Sequence, residues 1–190
     1  MSECPNIERH FHLPLQSGSD KVLKEMNRHY TKEKYLRIAD KLREAIPGIS
    51  ISTDIIVGFP GETEEDHLET IDVCKKVEYE SAFTFIYSPR PGTPAARRDD
   101  QVDEKTSGRR FQELVDTLYP IFLKKNREDV GKTTMVLIDS YSKNNKSMMA
   151  GRNSENKLIH VPGDESMIGK IVKVKITDCS SFALEGIPVV

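Results

Sequence analysis

The residues best suited to chemistry cluster in Gly58-Phe59-Pro60-Gly61-Glu62-Thr63. Two glycines three positions apart permit backbone angles and close approaches that a side chain forbids. Gly58, Phe59, Pro60, Gly61 and Glu62 can therefore bring main-chain groups against a ligand. No Lys-Ser/Thr follows the glycines, which excludes a phosphate-binding P-loop. A well-made turn with no ligand explains the same residues. Gln16-Ser17 offers an amide and a hydroxyl as hydrogen-bond partners. Arg90 stands in Pro89-Arg90-Pro91-Gly92-Thr93-Pro94, where three prolines and a glycine restrict the backbone around a guanidinium suited to a carboxylate or phosphate; a surface arginine is the alternative. His10 and His12 alternate with Phe11 and share one face of a short strand, but no third metal ligand is near, so they read as hydrogen-bonded histidines. Cys4, Cys74 and Cys179 are scattered, with no CxxC, and suggest reduced thiols in a cytoplasmic compartment.

The elements that position these residues follow from periodicity. Ile49, Ile51, Ile55, Ile56 and Val57 form a β-branched run of strand length, ending at the glycine turn. Thr63-Glu64-Glu65-Asp66 has the form of a helix N-cap with an acidic residue three positions on, and starts a helix to about Val77. Its apolar set is Leu68, Ile71, Cys74 and Val77, which makes Cys74 a small core residue. Before the central strand, Ser19 caps a short helix carrying Val22, Leu23 and Met26. A second helix starts at Thr31, carries Tyr35, Ile38, Ala39, Leu42 and Ile46, and ends at Pro47-Gly48. Ser81 to Ser88 reads as the next strand. This alternation indicates parallel βαβ units, too few to close an eight-stranded barrel. Gln16, Ser17, the glycine loop and Arg90 all fall at strand carboxyl ends, where parallel α/β folds place ligands.

Residues 103–128 have helical periodicity, interrupted by Pro120, which is expected to kink or split the helix near Tyr119. From about Gly131 the pattern becomes β-rich: Met135–Ile138, Leu158–Val161, Ile171–Ile176 and Phe182–Ile187, within a segment sized for a five-stranded barrel of OB-like type. Phe182 is expected in its core. The 190 residues carry a net charge of −2, with 31% charged residues of both signs, which argues for a globular protein and against a polycationic nucleic-acid binder. Residues 131–190 hold eight Lys or Arg against six Asp or Glu. Lys132, Lys143, Lys146, Arg152, Lys157 and Lys170 lie near turns and suit phosphate contact; a solvated surface accounts for so small an excess equally well. No run approaches the ~18 apolar residues of a membrane span, and Met1 to Leu15 lacks the pattern of a signal peptide.

Three stretches together carry a resemblance: His12-Leu13-Pro14-Leu15-Gln16-Ser17-Gly18-Ser19 with Met26-Asn27-Arg28, Thr53 to Thr63, and Phe83 to Thr93. They resemble the MiaB-type tRNA methylthiotransferases, radical S-adenosylmethionine (SAM) enzymes. The closing segment resembles the TRAM domain, that family's RNA-binding barrel. The resemblance implies an α/β fold: a partial radical SAM barrel over residues 1–128, then a small all-β TRAM barrel over 129–190. It implies SAM and two 4Fe-4S clusters in full-length members, a deoxyadenosyl radical as oxidant, and methylthiolation of an isopentenyl-adenosine beside the tRNA anticodon. It assigns Gln16, Ser17, Arg28, Gly58 to Glu62, Ile86 and Tyr87 to SAM, and Arg90, Lys132, Lys143, Arg152, Lys157 and Lys170 to tRNA. The match is to the C-terminal half. The cluster-binding cysteines of the family, including CxxxCxxC, have no counterpart here, so a fragment is expected, with no catalytic or metal-binding residue of its own. Two alternatives stay open: a non-catalytic RNA-binding fragment, and the branch that modifies a ribosomal protein. Unpaired barrel edges are expected to favour self-association.

Overall fold

The computed structural model describes residues 3–4, 6–143 and 145–189. The element order is β1 (His10–His12), α1 (Asp20–Glu25), α2 (Lys32–Ala45), β2 (Ser50–Val57), α3 (Glu64–Val77), β3 (Ser81–Ile86), α4 (Glu104–Arg127), and then five strands. These are β4 (Thr133–Tyr141), β5 (Met148–Arg152), β6 (Leu158–Pro162), β7 (Ile171–Cys179) and β8 (Leu184–Pro188). The first three strands form an open sheet of order β1-β2-β3, and the last five close into a barrel of order β4-β5-β6-β8-β7.

β2 and β3 pair in parallel, with Asp54 opposite Phe83 and Ile56 opposite Phe85. α3 makes the crossover between them, as a βαβ unit requires. Ile51, Thr53, Ile55 and Val57 of β2 are fully or nearly fully buried. Tyr35 and Ala39 of α2 and Ile71, Cys74 and Val77 of α3 join that core. The expected helical stripes need two corrections. Leu68 and Ile38 face outward, because α3 turns Thr70, Val73 and His67 inward and α2 uses the narrower Tyr35–Ala39 line.

The helix starts follow the caps. Ser19 accepts from the backbone of Val22, and Thr63 and Asp66 form a reciprocal capping box. Pro120 does not split α4, which runs as one helix from Glu104 to Arg127. The proline removes one backbone donor and crowds the carbonyl of Asp116. Burial of Leu114 and Leu118 before it and Phe122 after it holds the helix together.

The barrel core consists of Val136, Ile138, Met149, Ile159, Val161, Val174, Ile176 and Leu184, all buried. Its second strand, β5, is Met148-Met149-Ala150-Gly151-Arg152, a stretch without β-branched residues. Gly151 is required there: a Cβ would collide with the carbonyl oxygen of Leu137 on β4. Phe182 precedes β8 and is 61% exposed, not a core residue. The edge of its ring lies against Phe122, centroids 6.5 Å apart. Of the polar turn at Lys143–Lys146, Asn144 lies outside the described residues.

The chain divides into two compact units, His12–Ala45 with Ile51–Tyr119, and Met1–Phe11 with Ile46–Ser50 and Pro120–Val190. No helix among the described residues is long and apolar enough to cross a membrane.

Candidate functional site

The carboxyl ends of β2 and β3 carry the candidate site. β2 runs into Gly58, whose φ of 73° suits glycine. A Cβ on Gly58 would lie 2.5 Å from the Ser107 hydroxyl of α4. The loop then folds back on itself. The Gly58 amide donates to Glu62 Oε1 at 3.0 Å, and the Glu62 amide donates to the Phe59 carbonyl at 2.9 Å. Arg110 of α4 locks the turn: its Nη1 donates to the Glu62 carbonyl at 3.0 Å and to Glu62 Oε1 at 2.9 Å. Both side chains are almost fully buried. Burial pushes the Glu62 carboxyl up, against the opposing pull of the Gly58 amide and the Arg110 guanidinium.

Asp66 fastens the far side of the loop. Its carboxylate accepts from Ser19 Oγ at 2.6 Å, Lys21 Nζ at 2.8 Å and the Thr63 amide at 2.9 Å. Lys21 also donates to the Gly61 carbonyl at 2.7 Å. Burial alone would raise the Asp66 carboxyl, but the bonds from Lys21, Ser19 and Thr63 outweigh it and hold the group at about 2.

Beside this loop, Tyr87 follows β3. Its amide donates to the Val57 carbonyl at 2.8 Å, and its ring meets Phe59 edge-on with centroids 5.2 Å apart. The Tyr87 hydroxyl is buried and has no hydrogen-bond partner among the described residues. An orphaned hydroxyl beside an aromatic pair is a place where a polar ligand atom relieves a desolvation cost. Ile86 beside it is exposed.

The other SAM-assigned residues are placed less openly. Gln16 has a φ of 66° and is woven onto β2, donating to the Asp54 carbonyl and accepting from Ile56. Ser17 is fully buried, and its hydroxyl accepts from the Ser19 amide and lies 3.4 Å from Thr70 Oγ1. Both residues shape the strand end from within. Arg28 is exposed. Arg90 is also exposed, in a loop closed by the amide and hydroxyl of Thr93 on its carbonyl. His12 bonds Ser52 Oγ at 2.9 Å and Asp54 Oδ2 at 3.3 Å across the sheet. His10 and His12 enter no metal-binding group, and no cluster of three metal-ligating side chains occurs among the described residues.

Cys4 is exposed, Cys74 buried and Cys179 half-buried. Burial pushes the Cys74 thiol up to about 12, so it is an inert core residue. Thiolates so dispersed do not fit an iron–sulfur cluster, which needs several converging on one site.

In the barrel, Lys143, Arg152 and Lys170 are exposed. Arg152 donates to the Asn156 carbonyl at 2.7 Å. Lys157 is mostly buried and ion-paired with Asp129 at 2.6 Å, while Lys132 reaches the same carboxylate at 3.0 Å. Lys157 thus braces the start of the barrel. Sequence reasoning missed Ser107, Arg110 and Lys21, whose partners lie 40 or more residues away in the chain. The Ser19 and Thr63–Asp66 caps carried a local signal.

Residues 3–74 match the radical SAM superfamily, and residues 127–189 match the TRAM domain. The chain is 49% identical over 186 residues to the tRNA-2-methylthio-N(6)-dimethylallyladenosine synthase of Alkaliphilus oremlandii, covering 98% of this chain and 40% of that protein. The protein of the same name from Carboxydothermus hydrogenoformans is 49% identical over 187 residues, 98% of this chain and 42% of its own length. That of Clostridium botulinum strain Okra is 49% identical, with 41% of its length covered. The chain thus spans about two fifths of the length of the curated relatives it matches.

Proposed function

We propose that the chain belongs with the MiaB-type radical SAM methylthiotransferases and supplies part of the SAM pocket and the tRNA-holding barrel of such an enzyme. The observation that carries this is the pairing of the two matches with the two folds: radical SAM on the parallel sheet region, TRAM on the closed barrel. The reaction is methylthiolation of an isopentenyl-adenosine next to the tRNA anticodon, placing the enzyme in the cytoplasm. SAM, when bound with the clusters of the whole protein, supplies the oxidising radical and the methyl group.

The part played by this chain is binding. The sequence changes to the RNA-holding barrel at 128/129, with the last turns of α4 folding with the barrel. The Gly58–Glu62 backbone and the rings of Phe59 and Tyr87 receive SAM, with the unpaired Tyr87 hydroxyl as donor or acceptor. Ile86 borders that site, Gln16 and Ser17 shape it, and Arg28 lies at its approach. Arg90, Lys132, Lys143, Arg152 and Lys170 contact tRNA phosphates. The scattered cysteines favour a second reading for the chain taken alone, a non-catalytic RNA-binding module.

Titration of the chain with SAM and, separately, with tRNA tests the proposal. Binding of both is expected, with Tyr87→Phe weakening SAM alone. Binding of tRNA without SAM favours the second reading, and binding of neither overturns both. Anaerobic reconstitution with iron and sulfide is expected to yield no SAM cleavage by this chain; deoxyadenosine as product would refute that.

A further inference from the structure

One outer face of the barrel is unlike the rest of its surface. Along β4 and β7 the outward residues are Thr133, Met135 and Leu137 on one strand and Ile171, Lys173 and Lys175 on the other. They lie directly opposite one another: Thr133 with Lys175, Met135 with Lys173, Leu137 with Ile171. Met135 is 52% exposed, Leu137 50% and Ile171 66%. Ile187 of β8 is also exposed, on the far side of Lys175 with which it pairs. A barrel that buries eight aliphatic or thioether side chains in its core does not need these others outside. Contiguous apolar side chains left in water mark a surface that meets something.

We infer that this β4–β7 face is where the barrel meets RNA, with Lys173 and Lys175 on phosphates and Met135, Leu137 and Ile171 against sugar and base edges. The inference rests on the RNA-binding reading of the barrel and names its surface. Three features favour RNA over a protein partner. Lysine is depleted from the cores of protein interfaces, yet here Lys173 stands directly opposite Met135. Lys173 and Lys175 are exposed, and among the described residues neither has an ion-pair partner, so both charges are available. Two residues apart on one strand, they sit about 7 Å from each other, of the order of the spacing between successive phosphates. Their charge was not singled out by turn position, since both lie mid-strand; only the pleat places them on one face with the apolar residues.

The test uses the whole 190-residue chain and bulk tRNA as probe, with affinity followed between about 50 and 200 mM salt. Lys173→Ala/Lys175→Ala is expected to weaken binding about tenfold and to lower the log–log salt slope by about 1.4–1.8, the share of two phosphate contacts. Met135→Thr/Ile171→Thr, which keeps strand-favouring residues at exposed positions, is expected to weaken binding several-fold with the slope unchanged. Thermal melts check that both variants fold. Wild-type affinity in the lysine variant overturns the inference. If Lys143→Ala/Lys146→Ala, in the β4–β5 turn, then carries the loss, the RNA reading stands and another part of the barrel holds the tRNA. A change in sedimentation of the Met135/Ile171 variant with unaltered tRNA affinity also overturns it, in favour of a protein interface. A wild-type chain that binds no tRNA ends the RNA reading and this inference together.

Discussion

Glu62 in the glycine loop and Asp66 in the first turn of α3 respond to pH in opposite senses. Asp66 has a folded value near 2, below the ordinary carboxylate value. Its bonds therefore stabilise the fold fully above about pH 4, and that stability drains away as pH falls toward 2. The shift corresponds to about 2 kcal/mol. Asp66→Asn is expected to cost that much near neutral pH in urea unfolding, with the gap from wild type closing at about pH 2. Glu62 has its carboxyl raised by burial. Across the interval between its unfolded and folded values, its contribution to stability falls as pH rises. Arg110 is what makes the buried charge tolerable. Arg110→Met should cost about 3–5 kcal/mol by leaving Glu62 unpaired. Arg110→Met/Glu62→Gln should recover most of it, because a neutral pair carries no stranded charge; a double variant no more stable than the single one would contradict this. Asp66 was readable from sequence as the third residue of a cap. Its ties to Ser19 and Lys21, and the whole role of Arg110, were not, because a buried arginine on a polar helix has no local signature.

At the scale of elements, legibility followed the strength of local chemistry. The bounds of α3 came directly from Thr63 and Asp66, and β2 from its β-branched run. β5 was invisible, since Met-Met-Ala-Gly-Arg has no strand pattern and its glycine answers to a carbonyl on β4. Pro120 does not end α4, because one lost backbone bond is outweighed by apolar burial on both sides. Phe182 was misplaced by an apolar neighbourhood that begins only at Ala183-Leu184. β3 was read correctly as a strand, but not as one with its aromatic side chains bare. It stands at the edge of the sheet with Phe83 and Phe85 exposed. Such an edge invites pairing with another strand. The chain is expected to form dimers or larger assemblies, and Phe83→Thr/Phe85→Thr to shift them toward monomer, as measured by sedimentation. A wild-type chain that remains strictly monomeric at high concentration would rule this out.

For the whole molecule, the question is where the barrel's folding unit begins. The change of sequence character at Gly131 and the TRAM match from residue 127 both point to the end of α4. The compact unit that contains the barrel reaches back to Pro120, inside that helix. The last turns of α4 explain why. Asn126 is buried and its side-chain amide donates to the Ser180 carbonyl at 2.9 Å and the Ser181 carbonyl at 3.3 Å. Phe122 is buried and meets the ring of Phe182. Lys157 donates to the Lys125 carbonyl at 3.2 Å and so ties β6 to the same turn. A fragment cut at 129 loses all of these, leaves the carbonyls of the loop before β8 without the Asn126 amide, and takes the Phe122 ring away from Phe182. Losing the packing of one buried aromatic is worth about 3–5 kcal/mol in a core, and less here because Phe182 is itself half in water; one or two hydrogen bonds add about 1 kcal/mol each. The fragment 120–190 should therefore exceed 129–190 in stability by at least about 2 kcal/mol, a difference of roughly 8–16 °C in Tm for a domain of this size. Equal melting temperatures would mean that α4 only abuts the barrel, and that the division at 128/129 is the physical one.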